Sequence, residues 1–241
     1  MPDLARVPCL DHGYLALVQS WGSDEAIVEA ARMSTGKGFK GWGTPDAPGD
    51  EKLLRYLYEN KHATPFEMAG LTLEVQAPIF VFREWHRHRT QSYNEMSARY
   101  TPLPDLNYLP TVDRLMINAR AAAANANKQA GTIKDADALT DENAEAFREN
   151  LVDMYAQQEQ LYQEALKRGV PKELARVHLP VGRYSRMRAS ANLRNWLAFL
   201  TLRMSPHAQY EIRVYANAVG NLIAQEFPRT WELFAQGRAA T

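Results

Sequence analysis

Residues 87–100 read Arg87-His88-Arg89-Thr90-Gln91-Ser92-Tyr93-Asn94-Glu95-Met96-Ser97-Ala98-Arg99-Tyr100, the densest run of binding chemistry in the 241-residue chain. Three guanidinium groups, an imidazole, two serine hydroxyls, an asparagine amide and a carboxylate crowd together with few apolar residues to bury. A core element cannot carry that load. A solvated helix ordinarily balances its charges and mixes Lys with Arg, whereas every cation here is Arg, whose planar fork matches phosphate or carboxylate oxygens. The run therefore reads as an anion site.

Upstream of it, Leu71-Thr72-Leu73-Glu74-Val75-Gln76 alternates apolar with polar and predicts a strand with one buried face. Pro78 opens a helix predicted over residues 79–88, which would set Arg83 and Arg87, and Glu84 and His88, one turn apart. Residues 90–97 then predict a loop or irregular turn with backbone amides free for ligands, and Pro102, Pro104 and Pro110 keep the next stretch extended. Nearer the start, Ser23 is expected to cap a helix reaching about Met33, and Asp50 a second one carrying Leu53, Leu54 and Leu57. His62-Ala63-Thr64-Pro65-Phe66-Glu67 reads as a turn with Pro65 at a first helical position. Gly36, Gly38 and Gly41 match the spacing of a dinucleotide fingerprint, but a helix precedes them and Trp42-Gly43-Thr44-Pro45 follows, so the Rossmann reading is rejected.

Residues 114–140 look like a peripheral excursion, Ala- and Asn-rich over 121–130 and polar over 131–140, expected to form a surface helix with a flexible end. Thr140 should cap a long helix with Phe147, Leu151, Met154, Leu161 and Leu166 on its apolar stripe and Gly169 just beyond its end. Further helices are predicted over residues 172–178, 192–204 and 206–227, the last two separated at Ser205, which is expected to cap the last one ahead of Pro206 at its first helical position. Helix dominates, with a smaller sheet: an α+β chain, expected to be one domain.

Composition narrows the function classes. With 46% hydrophobic and 23% charged residues the chain can bury a large core, and 28 basic against 28 acidic side chains leave no global field to recruit nucleic acid or membrane. Any anion site must come from local clustering. The single Cys9, in the setting Val7-Pro8-Cys9-Leu10, excludes an intramolecular disulfide and reads as a structural or exposed thiol in a reducing compartment. The opening residues lack the apolar stretch of a signal peptide and no apolar run is long enough to span a bilayer, so a cytoplasmic protein is expected. His86 and His88 point to different sides of a helix and their neighbouring arginines would oppose a cation, so no metal is expected. Ser92 and Ser97 lie near His88 in sequence without a nucleophile-elbow context.

A second cluster runs from residue 176 to 203, holding Arg176, Arg183, Arg186, Arg188, Arg194 and Arg203 with no Lys, Asp or Glu. Such segregated charge needs anions or carboxylates from elsewhere to relieve its repulsion. About half of these arginines are expected to pair with the acid-rich residues 135–149 or with a neighbouring subunit, and the others to meet phosphates.

Arg87-His88-Arg89, seven residues, then Ser97 resembles the signature of flavin-dependent thymidylate synthases, and the extended form is more specific: Glu84-Trp85-His86-Arg87-His88-Arg89, then Ser92, Asn94-Glu95, Ser97 and Arg99-Tyr100 match in order. The agreement continues through Ala30-Ala31-Arg32-Met33-Ser34, the run from His62 to Glu67, Ala77-Pro78-Ile79-Phe80, Ala175-Arg176, Asn192-Leu193-Arg194, Leu202-Arg203 and His207-Ala208-Gln209-Tyr210-Glu211-Ile212. Residues 114–140 and the extreme termini fall outside it.

The resemblance implies synthesis of thymidylate from deoxyuridylate, with methylenetetrahydrofolate giving the carbon, FAD carrying hydride and NADPH reducing the flavin. It implies a homotetramer with its own α+β fold and active sites shared between subunits. Carried over by position, Ser34, Thr64, Arg87, His88, Arg89, Glu95, Asn192, Leu193 and Arg194 would contact FAD. Deoxyuridylate would be held by Glu84, Trp85, His86, Arg87, Glu95, Met96, Ser97, Ala98, Arg99 and Arg176, with Arg203 on the uracil ring as the catalytic group. A guanidinium there stabilises the charge that develops on the ring without a proton transfer, so no enzyme thiol is needed and Ser97 is a ligand, not a nucleophile. Two positions depart from the pattern: Glu84 where many relatives carry Gln, a carboxylate that an arginine or a bound proton must offset, and Ala198 where relatives often carry Asn or His against the flavin. The competing readings are an arginine-rich nucleic-acid binder, opposed by the neutral total charge, and arginines that only cement an oligomer.

Overall fold

Leu71, Leu73, Val75 and Ala77 are fully buried while Thr72, Glu74 and Gln76 are only partly so, the two-residue period of a strand with one covered face. In the computed structural model, which describes residues 4–44, 46–123 and 137–239, this strand spans Gly70–Pro78. It is β3 of a five-stranded antiparallel sheet with β1 (Arg6–Cys9), β2 (Gly13–Trp21), β4 (Ser92–Glu95) and β5 (Tyr184–Asn192), ordered β1-β2-β3-β5-β4.

The small antiparallel sheet agrees with the expected fold class, but four of its strands lie where the sequence predicted none. Residues 90–97 are not simply a loop: Ser92 pairs with Ser190 and Asn94 with Arg188, making β4 an edge strand with Tyr93 turned to the other face. The arginine cluster likewise conceals β5, in which Met187, Ala189 and Ala191 are buried and Arg186, Arg188 and Ser190 alternate with them. Its covered face is mostly alanine, a weak apolar signal, because helices approach it closely.

The helices α3 (Ile79–Trp85), α7 (Leu193–Arg203) and α8 (Tyr210–Glu226) pack on that face, with α1 (Asp24–Arg32), α2 (Glu51–Glu59) and α9 (Pro228–Ala239) packed on one another and α9 against α8; α4 (Val112–Ala123), α5 (Asp141–Lys167) and α6 (Lys172–Ala175) complete the described helices. Ser23 Oγ caps α1 by accepting from Ala26 N at 3.2 Å, and Thr140 Oγ1 caps α5 by accepting from Asn143 N at 3.1 Å, both as expected. Asp50 precedes α2 without capping it, because its carboxylate accepts from the Lys40 amide at 2.7 Å and from Arg32 instead. Burial alone would raise its pKa; the Arg32 guanidinium and the Lys40 amide hold it below the usual carboxylate range. Ser205 does not cap α8, which starts only at Tyr210, and its hydroxyl accepts from His207 N at 3.2 Å in the intervening turn. α6 is three residues shorter than predicted and α9 is an addition.

The stripe predicted for α5 is also corrected. Ala144 and Tyr162 are buried, Leu151 and Leu166 half-buried, and Phe147, Met154 and Leu161 exposed. The helix is rotated because its polar inner face is tied down, Arg148 Nε donating to Pro110 O at 2.8 Å and Tyr155 Oη to Tyr108 O at 3.0 Å. The excursion is not peripheral at its start, where Arg114 of α4 meets the buried Glu211 at 2.7 Å; its part over residues 124–136 lies outside the described residues.

Under the sheet, Trp85, Trp196, Phe199 and Tyr215 form an aromatic centre that joins α3, α7 and α8, with Trp85 stacked on Phe199 at 4.8 Å and edge-on to Trp196 at 6.3 Å. This centre positions the ends of α3 and α7 against each other.

Candidate active site

α3 ends at Trp85, three residues before the predicted end at residue 88. Its apolar residues run out there, and the carbonyls that a longer helix would need are taken: His88 N donates to Trp85 O at 3.0 Å, and the Tyr93 hydroxyl donates to Trp85 O at 3.1 Å and to His88 O at 2.7 Å. The expected one-turn pairing of Glu84 with His88 along a helix is therefore absent. Tyr93 is half-buried and burial pushes its phenol up to about 12, so it stays a donor.

Arg203, the last residue of α7, closes on this turn. Its Nε donates to His88 Nε2 at 2.8 Å, Nη1 to Glu84 Oε2 at 2.8 Å and Nη2 to the Glu84 carbonyl at 3.0 Å. Its side chain is 16% exposed and that of Glu84 41%, so the pair sits at the floor of an open surface. His88 packs edge-on against Phe199 at 4.8 Å. Burial, then the Arg203 charge, pull the His88 pKa down to about 4, against a smaller opposing effect of Glu84, so near neutral pH the ring is uncharged and accepts from Arg203. The carboxylate at position 84 is thus offset by an arginine.

Residues 96–101 leave the sheet edge with Met96 N donating to Arg186 O at 2.8 Å and lie against α6, where Arg99 Nε reaches Glu173 at 3.2 Å and Lys172 Nζ donates to Tyr100 O at 3.0 Å. Ser97 Oγ accepts from Arg99 N at 3.3 Å. Arg176 follows at the end of α6, half-buried and with no ion pair among the described residues, so the fold brings it to the side of the chain that carries Ser97 and Arg99.

A third group surrounds the start of α7. Asn192 Oδ1 caps it by accepting from Asn195 N at 3.0 Å, and Asn195 Nδ2 donates to Thr90 O at 3.2 Å, drawing the Arg87-His88-Arg89 segment toward it. Arg194 bonds to Glu67 at 2.6 Å and, with Leu57, Lys61, His62, Phe66 and Leu197, lines a cleft of about 310 Å³. Arg87 and Arg89 are exposed and form no ion pair among the described residues. The Arg194 guanidinium beside an apolar wall suits a ligand that joins phosphate to a flat ring.

Not every expected site residue offers its side chain. Trp85, Ala98 and Leu193 are buried, the Trp85 indole donating to Gln91 Oε1 at 3.0 Å and the Leu193 amide to Ala69 O at 2.7 Å. His86 packs on Phe82 and Tyr93. Ser34 is exposed with its hydroxyl donating to Ala31 O at 3.0 Å, Thr64 is exposed at the start of a 3-10 turn, Glu95 ends the edge strand and Met96 follows it. In the arginine cluster the carboxylate partners among the described residues do not come from 137–149: Arg183 pairs with Asp105 and Glu159, Arg188 with Glu74, Arg194 with Glu67 and Arg203 with Glu84.

Sequence reasoning missed Tyr93, Gln91 and Phe199, which shape the turn around His88; the in-out alternation of Ser92-Tyr93-Asn94 was the available signal for the first. Among the described residues no group of three His, Cys, Asp or Glu side chains is placed to hold a metal ion, and no helix is long and apolar enough to cross a membrane.

Residues 16–229 match the family model described as thymidylate synthase complementing protein. A flavin-dependent thymidylate synthase of Thermosipho africanus is 40% identical over 225 residues, covering 93% of this chain and 92% of the relative, and one of Thermus thermophilus is 39% identical over 232 residues, 95% and 78%. Among solved structures, the UMP/dUMP methylase PolB of Streptomyces cacaoi bound with 5-Br dUMP superposes with a TM-score of 0.76 at 31% identity, over 95% of this chain and 97% of that one.

Proposed function

Because the chain belongs to the family of flavin-dependent thymidylate synthases, which are methyltransferase enzymes, we propose that it reductively methylates dUMP to dTMP, with methylenetetrahydrofolate as carbon donor, FAD as hydride carrier and NADPH as reductant. The observation that carries this reading is the Arg203 guanidinium, held by Glu84 and an uncharged His88 beside the Arg87-His88-Arg89 segment.

Arg203 is the catalytic residue, meeting the uracil ring and stabilising the negative charge that makes its C5 nucleophilic. Arg99, Ser97 and Arg176 hold the nucleotide phosphate, and the backbone around Glu84, Trp85, His86, Arg87, Glu95, Met96 and Ala98 frames the nucleotide. Arg87, His88, Arg89 and Arg194, with Ser34, Thr64, Glu95, Asn192 and Leu193, form the flavin side, where the arginines answer the pyrophosphate and the wall of Leu57, Phe66 and Leu197 suits the ring. When bound, the flavin supplies the redox chemistry that no side chain provides. No thiol nucleophile is required, in keeping with a buried Cys9 whose pKa burial pushes up to about 12.

The protein acts as one domain over residues 1–241, in the cytoplasm, as a homotetramer with shared sites and without nucleic acid or membrane partners. The exposed Phe147, Met154 and Leu161 of α5, and the exposed Leu174 and Val177 in and after α6, supply apolar surface for that assembly. A turnover assay with FAD, NADPH, methylenetetrahydrofolate and dUMP tests the reading, with UMP as a parallel substrate in view of the solved neighbours' names. Thymidylate formed only with every component present is the expected result. A protein that stays colourless after incubation with FAD and forms no methylated nucleotide would overturn it.

A further inference from the structure

An arginine carries five N–H donors, and in Arg203 three of them are committed within the chain: Nε–H to His88, one N–H of Nη1 to the Glu84 carboxylate and one of Nη2 to the Glu84 carbonyl. One N–H on each terminal nitrogen remains for a ligand. Glu84 therefore fixes the plane of the guanidinium from two directions, through its side chain and its backbone.

The backbone half of this grip depends on where α3 stops. Had the helix continued, the Glu84 carbonyl would accept from His88 N, four residues on. Because α3 ends at Trp85 and His88 N turns back to the Trp85 carbonyl at 3.0 Å, the Glu84 carbonyl is left for Arg203.

Resting on the reading of Arg203 as the group that meets uracil, we propose that Glu84 is a positioning residue: its carboxylate holds Arg203 in the orientation that receives charge from the ring and does not itself bind the nucleotide. The carboxylate also offsets part of the Arg203 charge, so its contribution lies in geometry. Holding a donor in place before reaction removes the reorganisation that a mobile arginine would require.

The experiment compares kcat, KM for dUMP and flavin content in the wild-type protein, Glu84→Ala and Glu84→Gln. Glu84→Ala is expected to lower kcat by about 10- to 100-fold while KM stays within about threefold and flavin content is unchanged, the pattern of an interaction used only in the transition state. Glu84→Gln keeps an oxygen acceptor for Nη1, so it should recover kcat to within about fivefold of wild type. A Glu84→Ala enzyme with wild-type kcat, or one with raised KM and intact kcat, overturns the proposal, the second outcome assigning the carboxylate to nucleotide binding. Glu84→Gln as slow as Glu84→Ala overturns it too, since charge or proton transfer would then be the role. A wild-type protein that makes no thymidylate removes the parent reading, and this one with it, before any variant is compared.

Discussion

Arg203 Nε and His88 Nε2 meet at 2.8 Å across 115 residues of sequence, joining the end of α7 to the turn after α3. The bond requires an unprotonated His88, which ties the geometry of the site to pH. The folded His88 titrates at about 4 against 6.5 for the free side chain, so between these values the unfolded chain binds a proton that the folded chain does not. Stability is whole above about pH 6.5 and is lost progressively as the pH falls toward 4. Thermal melts of wild type and His88→Gln across pH 4–7 should show a shallower acid loss in the variant; identical slopes would disprove the link.

Arg203→Ala should lower kcat for dUMP by about 100- to 1,000-fold, the range seen on removing one charge-stabilising donor from an active site. Flavin content and oligomer size, read from absorbance and light scattering, should stay as in wild type. Dissociation of the assembly instead would favour a purely structural arginine.

Cys9→Ala should retain turnover, because the thiol is buried in the core, its Sγ directed at Val7 O, with its pKa pushed up to about 12. In the native protein a disulfide reagent should react only as fast as the fold opens. The stability cost, measured by urea unfolding, should be about 1 kcal/mol.

Asp24 staples α1 to the first turn of α9, accepting from Arg229 N at 2.8 Å, Thr230 N at 3.2 Å and Thr230 Oγ1 at 2.6 Å. Burial raises its pKa despite these bonds, so the carboxylate is held at a desolvation cost that its donors must offset. Asp24→Ala leaves those donors unsatisfied and should cost ~2 kcal/mol in urea unfolding, with Asp24→Asn losing less.

Met154→Lys combined with Leu161→Lys places two charges on the exposed stripe of α5. If that stripe is covered in the proposed tetramer, light scattering should report smaller species and turnover should fall. An intact tetramer would move the subunit contact elsewhere on the surface.

The sequence by itself determined the capped helices, since Ser23 and Thr140 act through neighbours a few residues away, and it marked β3 through a clean two-residue period. Through the motif at residues 87–100 it also indicated the family that the comparisons then established. Only the tertiary structure decided that β4 and β5 are strands, because their pairing partners lie about a hundred residues apart and arginine and alanine carry little strand signal. It alone decided which face of α5 turns inward, through side chains bonded to distant carbonyls. And it decided what Glu84 does: sequence could flag a carboxylate in need of an offset, but the partner, Arg203, is 119 residues away and is delivered by the packing of α3 against α7. Local order follows from local bonds, whereas the pairing that defines this site follows from which faces the aromatic core buries together.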